Sequence, residues 1–145
     1  MIRMPIGYGH SFYNPKVNWR FETGPQAALA GRTSYWPRGK VLGGSSSINA
    51  MVYVRGQPFD FDDWEAAGNP GWGWNDVLPF FKSIETFQRG ADAWRGGSGE
   101  LYVTDMAGAV HPLCEDWLHA AEQAGFKRTP DYNGAAPEGT SIYQI

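Results

Sequence analysis

Apolar positions along the chain fall into short runs between turn formers, and their spacing changes character as the chain proceeds. Residues 1–38 hold neither a helical nor a strand period. Pro5, Gly7, Gly9, Pro15, Gly24, Pro25, Gly31 and Pro37 interrupt every run, so this part reads as an irregular arm that needs a larger body to lie on. After Gly43-Gly44, residues 45–53 predict a short helix with a serine-rich start, ending by Gly56. Pro58 suits the first turn of a second helix that points Phe61 and Trp64 inward and stops at Gly68. Beyond the turn Gly71-Trp72-Gly73-Trp74, Asn75 is placed to cap a third helix. Val77, Phe81 and Ile84 recur in it at i, i+4 and i+7, and it ends before Gly90. Alternation over residues 100–104 predicts one short strand. A last helix, with Pro112 near its start and Gly125 past its end, is expected to bury Leu113, Trp117, Ala121 and Ala124. The tail is loop, closing on the pattern Ile142, Tyr143, Ile145, and no internal repeat or low-complexity segment occurs. The expected class is an α+β fragment, helix-rich with short strands.

Composition narrows the classes. Among 145 residues, seven Trp, seven Tyr and eight Phe can build a core and exclude whole-chain disorder. The 19 Gly and 10 Pro leave room only for short elements, which argues against a helical bundle or coiled coil. No apolar run approaches the roughly 20 residues of a membrane span, and Met1 does not open a secretory signal. The single cysteine, Cys114, forbids an internal disulfide and a multi-cysteine zinc site, so cytoplasm is the expected compartment. The formal charge of −3 hides an asymmetry: residues 1–58 carry seven basic side chains and one acid, residues 59–145 five basic and fourteen acidic. Such a basic segment can meet nucleic acid, anionic lipid or cofactor phosphates, or be a solvated face paired with the acidic half.

Chemistry concentrates in Gly39-Lys40-Val41-Leu42-Gly43-Gly44-Ser45-Ser46-Ser47-Ile48-Asn49, where a glycine pair feeds a predicted helix start. Paired glycines permit positive φ and close approach of backbone to a bulky ligand. First-turn amides lack intrahelical acceptors and suit an anion or an electron-rich oxygen. A phosphate or a flavin edge fits this pattern, and so does plain chain reversal.

The segment 39–62, with Asn49, Tyr53, Gly56 and Asp62 at their spacing, resembles the first signature of the glucose-methanol-choline (GMC) flavoprotein oxidoreductases. The likeness extends to Asn18-Trp19 with Phe21-Glu22-Thr23, to Tyr35-Trp36-Pro37-Arg38-Gly39, to Asp63-Trp64 and to Gly71-Trp72 with Pro79-Phe80-Phe81. It also reaches Gly96-Gly97-Ser98-Gly99 and Ala124-Gly125-Phe126, and is greatest toward the choline dehydrogenase and alcohol dehydrogenase branch. The resemblance implies part of an FAD-binding Rossmann-like α/β domain plus the start of a substrate (cap) domain. No boundary within 1–145 is expected, and the FAD-contacting segment spans about 36–56. It further implies that backbone around Val41 and along Asn49, Ala50, Met51 and Val52 approaches FAD, with Gly43 and Gly44 turning near its phosphates and ring. Some members tether the flavin through a histidine where this chain has Ile48, so non-covalent FAD is expected here. The G-x-G-x-x-G dinucleotide motif, the second family signature and the segment with the catalytic histidine do not occur. The chain therefore reads as an internal piece lacking the N- and C-terminal parts of its protein, with Met1 an internal or artificial start.

Other candidates are weaker. His10, His111 and His119 lie outside the family's catalytic context, so no catalytic residue is assigned; His111 before Pro112 reads as a helix-start residue. Glu115 and His119 with nearby Cys114 are too few and too exposed for a metal site, and none is expected. Asp60, Asp62, Asp63 and Glu65 crowd a helix start, where negative charge is favoured. Trp64, Trp72, Trp74, Trp94 and Trp117 match core anchors better than a sugar-binding groove, and Cys114 a small buried residue better than a nucleophile. The expected function is part of an FAD-dependent oxidoreductase acting on CH–OH donors, a primary alcohol or choline, with hydride passing to flavin and no nucleic-acid partner. The alternatives are a non-catalytic remnant, an aromatic-rich binding module, and an FAD-dependent hydroxynitrile lyase on the same scaffold.

Overall fold

The computed structural model describes residues 4–145, and the chain divides into two compact units, Met1–Met51 and Val52–Ile145. In the first unit, a 3-10 turn at Pro5–Gly7 leads into the one-turn helix α1 (Tyr8–Ser11). The strands β1 (Phe21–Glu22) and β2 (Tyr35–Trp36) pair antiparallel, with Phe21 opposite Trp36. Bridges at Asn18–Gly39 and Gln26–Arg32 extend this ribbon in both directions. Asn18 is buried at its root: its amide nitrogen donates to the Phe12 carbonyl (2.6 Å) and its oxygen accepts the Arg20 and Arg38 amides (both 2.9 Å). The arm is thus less irregular than the sequence suggests. Two-residue strands are too short to display a period, and a buried asparagine supplies the order that a hydrophobic pattern would otherwise reveal.

The predicted helix over 45–53 does not form. A four-residue 3-10 turn, Gly44–Ser47, stands there, and no helix or strand follows until residue 58. The Ser46 hydroxyl donates to the Gly43 carbonyl (2.6 Å) and the Ser47 hydroxyl to the Leu42 carbonyl (2.8 Å), a local alternative to helical bonding that short hydroxyl side chains favour. Met51 then takes φ +60, which no right-handed helix accommodates.

The second unit opens with α2 (Pro58–Ala66), with proline at its first position and Asp60 accepting the Gln57 amide (2.7 Å). Phe61 is buried, as expected, but Trp64 is half exposed at its side. The helix α3 runs over Trp74–Ile84, starting from Gly73 rather than from an Asn75 cap, because Asp62 of α2 accepts the Trp74 amide (2.8 Å). Phe61 meets Trp74 and Phe81 at ring-centroid distances of 5.6 Å each, and Trp74 stacks on Trp94 at 6.4 Å, so aromatic packing joins α2 to α3. Ile84 ends α3 exposed, and the chain turns directly into β3 (Glu85–Phe87), where the sequence predicts continued helix. This strand pairs in parallel with β4 (Leu101–Val103), inside the predicted 100–104. The last helix, α4 (Leu113–Gln123), lies where expected but is rotated: Leu118 is buried, whereas Leu113, Trp117 and Ala124 are exposed and Ala121 is half buried. Among the described residues no helix is long and apolar enough to cross a membrane.

Candidate functional site

The glycine-serine turn is a tightly crossed loop. Gly39 donates its amide to the Ser45 hydroxyl (3.1 Å), and the Gly44 amide bonds the Val41 carbonyl (2.8 Å), closing residues 39–45 on themselves. A Cβ on Gly39 would collide with the Gly44 carbonyl, so only glycine fits where the two strands of the loop cross. Gly43 and Gly44 both take positive φ, +86 and +59. A Cβ on Gly44 would meet nothing within 4 Å, so the backbone is open on that side. Five residues on, the Asn49 side chain accepts the Met51 amide (3.0 Å) and holds Met51 in the left-handed region. For a non-glycine residue that conformation costs on the order of 1 kcal/mol, and such strain gathers at ligand-binding sites.

A cavity of about 150 Å³ in the first unit brings Asn49 and Met51 together with Tyr8, Ser11, Ser46 and Ile48. Val41, Gly43, Gly44, Ala50 and Val52 do not line it; Val41, Gly44 and Ala50 are half buried, and Gly43 and Val52 are exposed. At that volume it falls short of the roughly 300–1,000 Å³ of ordinary ligand pockets. Two of the arm's basic side chains lie over aromatic rings, Arg38 at 4.9 Å from Trp36 and Lys40 at 4.6 Å from Trp19. These contacts answer part of the charge asymmetry locally.

The second unit holds a buried polar network that sequence reasoning missed. Arg55, Glu85, Arg95, Asn133 and Gln144 are all at most 6% exposed. Glu85 accepts from both arginines, at Arg95 Nε over 3.0 Å and through short pairs with Arg55 Nη2 and Arg95 Nη2, and also from the Gly96 amide (2.9 Å). Arg95 reaches Asp131 (2.8 Å) and the Gln144 side-chain oxygen (2.8 Å), with its guanidinium 3.6 Å from the Phe87 ring centroid. Burial works against the Arg95 charge, yet the bonds and charges of Glu85 and Asp131 outweigh it and hold its pKa above the ordinary value. Burial also raises the Tyr132 phenol, partly opposed by the Gln144 amide that donates to it (2.5 Å). Only Arg55 of the network stands within the family-like signature.

Several of the remaining candidates have structural partners. His111 Nδ1 accepts the Leu113 amide (3.2 Å) at the start of α4, and His119 lies 3.3 Å from Glu122 on its exposed face. Asp60 and Asp62 bond the backbone as described, and Glu65 approaches the Gly71 amide (3.4 Å).

Three comparisons bear on this geometry. Oxygen-dependent choline dehydrogenase of Brucella ovis is 46% identical over 139 residues, 96% of this chain and 25% of that protein. The crystal structure of pyridoxine 4-oxidase from Mesorbium loti superposes with a TM-score of 0.88 at 34% identity, covering 99% of this chain and 28% of that one. An FAD-dependent oxidoreductase from Chaetomium thermophilum gives a TM-score of 0.66 at 37% identity, over 82% of this chain and 23% of that one. The chain thus spans about a quarter of the length of these proteins. The family described as GMC oxidoreductase matches residues 21–145, a span that takes in the crossed glycine loop, the strained Met51 and the whole buried network, and the chain belongs to that family.

Proposed function

We propose that this chain forms the flavin-facing wall of an FAD-dependent oxidoreductase that oxidises a CH–OH donor, a primary alcohol or choline, within a longer parent protein in the cytoplasm. The observation that carries the reading is the conformation of residues 39–51: a loop crossing open at Gly44, followed by Met51 held at positive φ by Asn49. The residues present suit the cofactor, since residues 39–52 contain one basic and no acidic side chain and so carry no charge that would repel a phosphate. FAD supplies the hydride acceptor for such a reaction. This chain's part is to bring backbone at Val41, Gly43 and Gly44 and along Asn49, Ala50, Met51 and Val52 against it. The choline and pyridoxine in the relatives' names are both alcohols, which supports the substrate class. Residues beyond the FAD-facing segment begin the substrate-covering domain on this reading.

Ile48 is buried and offers no nucleophile, so FAD is held without a covalent tether. Acid precipitation of the flavin-loaded parent is expected to release all its flavin to the supernatant; flavin retained in the pellet contradicts the non-covalent reading. Anaerobic addition of choline or a primary alcohol is expected to bleach the bound flavin. A parent that no alcohol reduces contradicts the substrate class.

A further inference from the structure

We propose that Asn133 is a positioning residue for the flavin-facing segment, a role that rests on the function proposed above. Residues 53–55 follow that segment directly and belong to no sheet, yet the amide and carbonyl of Tyr53 and the amide of Arg55 are all bonded. The Asn133 side-chain nitrogen donates to the Tyr53 carbonyl (3.1 Å), and its oxygen accepts the Arg55 amide (2.8 Å). One carboxamide therefore supplies the donor and the acceptor that a neighbouring strand's peptide would supply. The Tyr53 amide is taken by the Gln144 carbonyl (2.9 Å). Asn133 is 4% exposed, and its orientation is fixed twice: its nitrogen also donates to the Gln144 side-chain oxygen (3.0 Å), and its own amide donates to Asp131 (2.9 Å). Arg95 grips both Gln144 and Asp131, and Arg55 is anchored on Glu85 and the Trp94 carbonyl (2.6 Å).

Val52 is the residue next to this clamped stretch and is half exposed. A backbone that must present itself to a cofactor needs a support that does not move, and here that support comes from a residue about 80 positions away in sequence. Its replacement alters where Val52 stands without removing any group that touches the flavin.

Asn133→Asp in the parent tests this. The variant keeps the acceptor toward Arg55 and turns both donations, to Tyr53 and Gln144, into oxygen facing oxygen. Thr129→Ala serves as control, since it removes the bond to the Ala136 carbonyl (2.7 Å) and the one from the Asp131 amide (3.4 Å) in the same loop without touching residues 53–55. Expected for Asn133→Asp are an FAD dissociation constant raised at least tenfold, an altered visible circular dichroism of the flavin that remains bound, and at least tenfold faster amide exchange over residues 52–55 in the flavin-free protein. The control is expected to stay within twofold on all three. Faster exchange with unchanged flavin affinity and spectrum overturns the positioning role, as does equal weakening in both variants. Unchanged exchange at 52–55 overturns the clamp itself, whether or not flavin is present. A parent that takes up no flavin in any form overturns the function on which this rests, and the exchange rates then still decide whether Asn133 holds residues 53–55.

Discussion

Arg95→Ala in the parent protein is expected to remove about 3–5 kcal/mol of folding stability, the range for breaking one partner out of a buried ion pair. The side chains of Arg95 and Glu85 are both fully buried, so the truncation leaves Glu85 facing Arg55 and the Gly96 amide alone, and strips Asp131 and Gln144 of their shared donor. The penalty arises from leaving the buried Glu85 carboxylate with one of its two cations in low dielectric, and Asp131 and Gln144 without their donor, rather than from the net worth of the pair. Against a typical total of roughly 5–15 kcal/mol, such a loss decides whether the protein accumulates folded. Arg128→Ala is the internal comparison: it also removes a carboxylate pair, to Glu115 at 2.7 Å, but both side chains are exposed and the expected cost is below about 1 kcal/mol. Urea-denaturation midpoints of the two variants supply the measurement. Equal midpoints would show that the network is peripheral to folding.

The second large effect is expected at Gly39. In Gly39→Val, the new Cβ runs into the Gly44 carbonyl, which is backbone and cannot swing aside as a side chain would. The loop must open, losing the Gly39–Ser45 bond and the crossing that sets the positive φ of Gly43 and Gly44. Flavin content of the purified parent is expected to fall below about a tenth of normal while the second unit, held by its own Arg95 network, stays folded. Gly44→Val should act by a different cause. Its Cβ meets open space, so the penalty comes from forcing a β-branched residue to φ +59 and from the bulk placed on the open side. Full loading in Gly39→Val would contradict the proposed role of this loop.

These residues also mark what the sequence could convey. The turn at Gly43 and Gly44 was legible because backbone conformation depends on residue type at single positions, whereas the need for glycine at 39 comes from the close approach of Gly44 and shows only in the fold. The helix α2 was legible for the same reason, with Pro58 opening it and Gly68 following its end. Helical content after Gly44 was not, because three serines support either a helix start or hydroxyl-to-backbone bonding, and the competition is decided by geometry a few residues on, at Met51. The strand β3 was hidden because its one apolar residue, Phe87, continues the pattern of α3 three positions after Ile84. On α4, apolar spacing located the helix but not its buried side, since Trp117 and Leu118 are adjacent candidates and only packing selects between them. The network was the least visible. Asn133 and Gln144 sit in stretches without period, and a polar side chain in a loop looks the same in sequence whether it faces water or clamps another stretch of backbone.

Hydrogen exchange of the parent with and without FAD tests the central claim most directly, because it reports which amides the cofactor covers. Saturating FAD is predicted to slow exchange at residues 41–52, including the amides of Gly43, Gly44 and Met51, by more than at β3, β4 or α4. Bound flavin that leaves residues 41–52 exchanging as in the flavin-free protein would contradict the account.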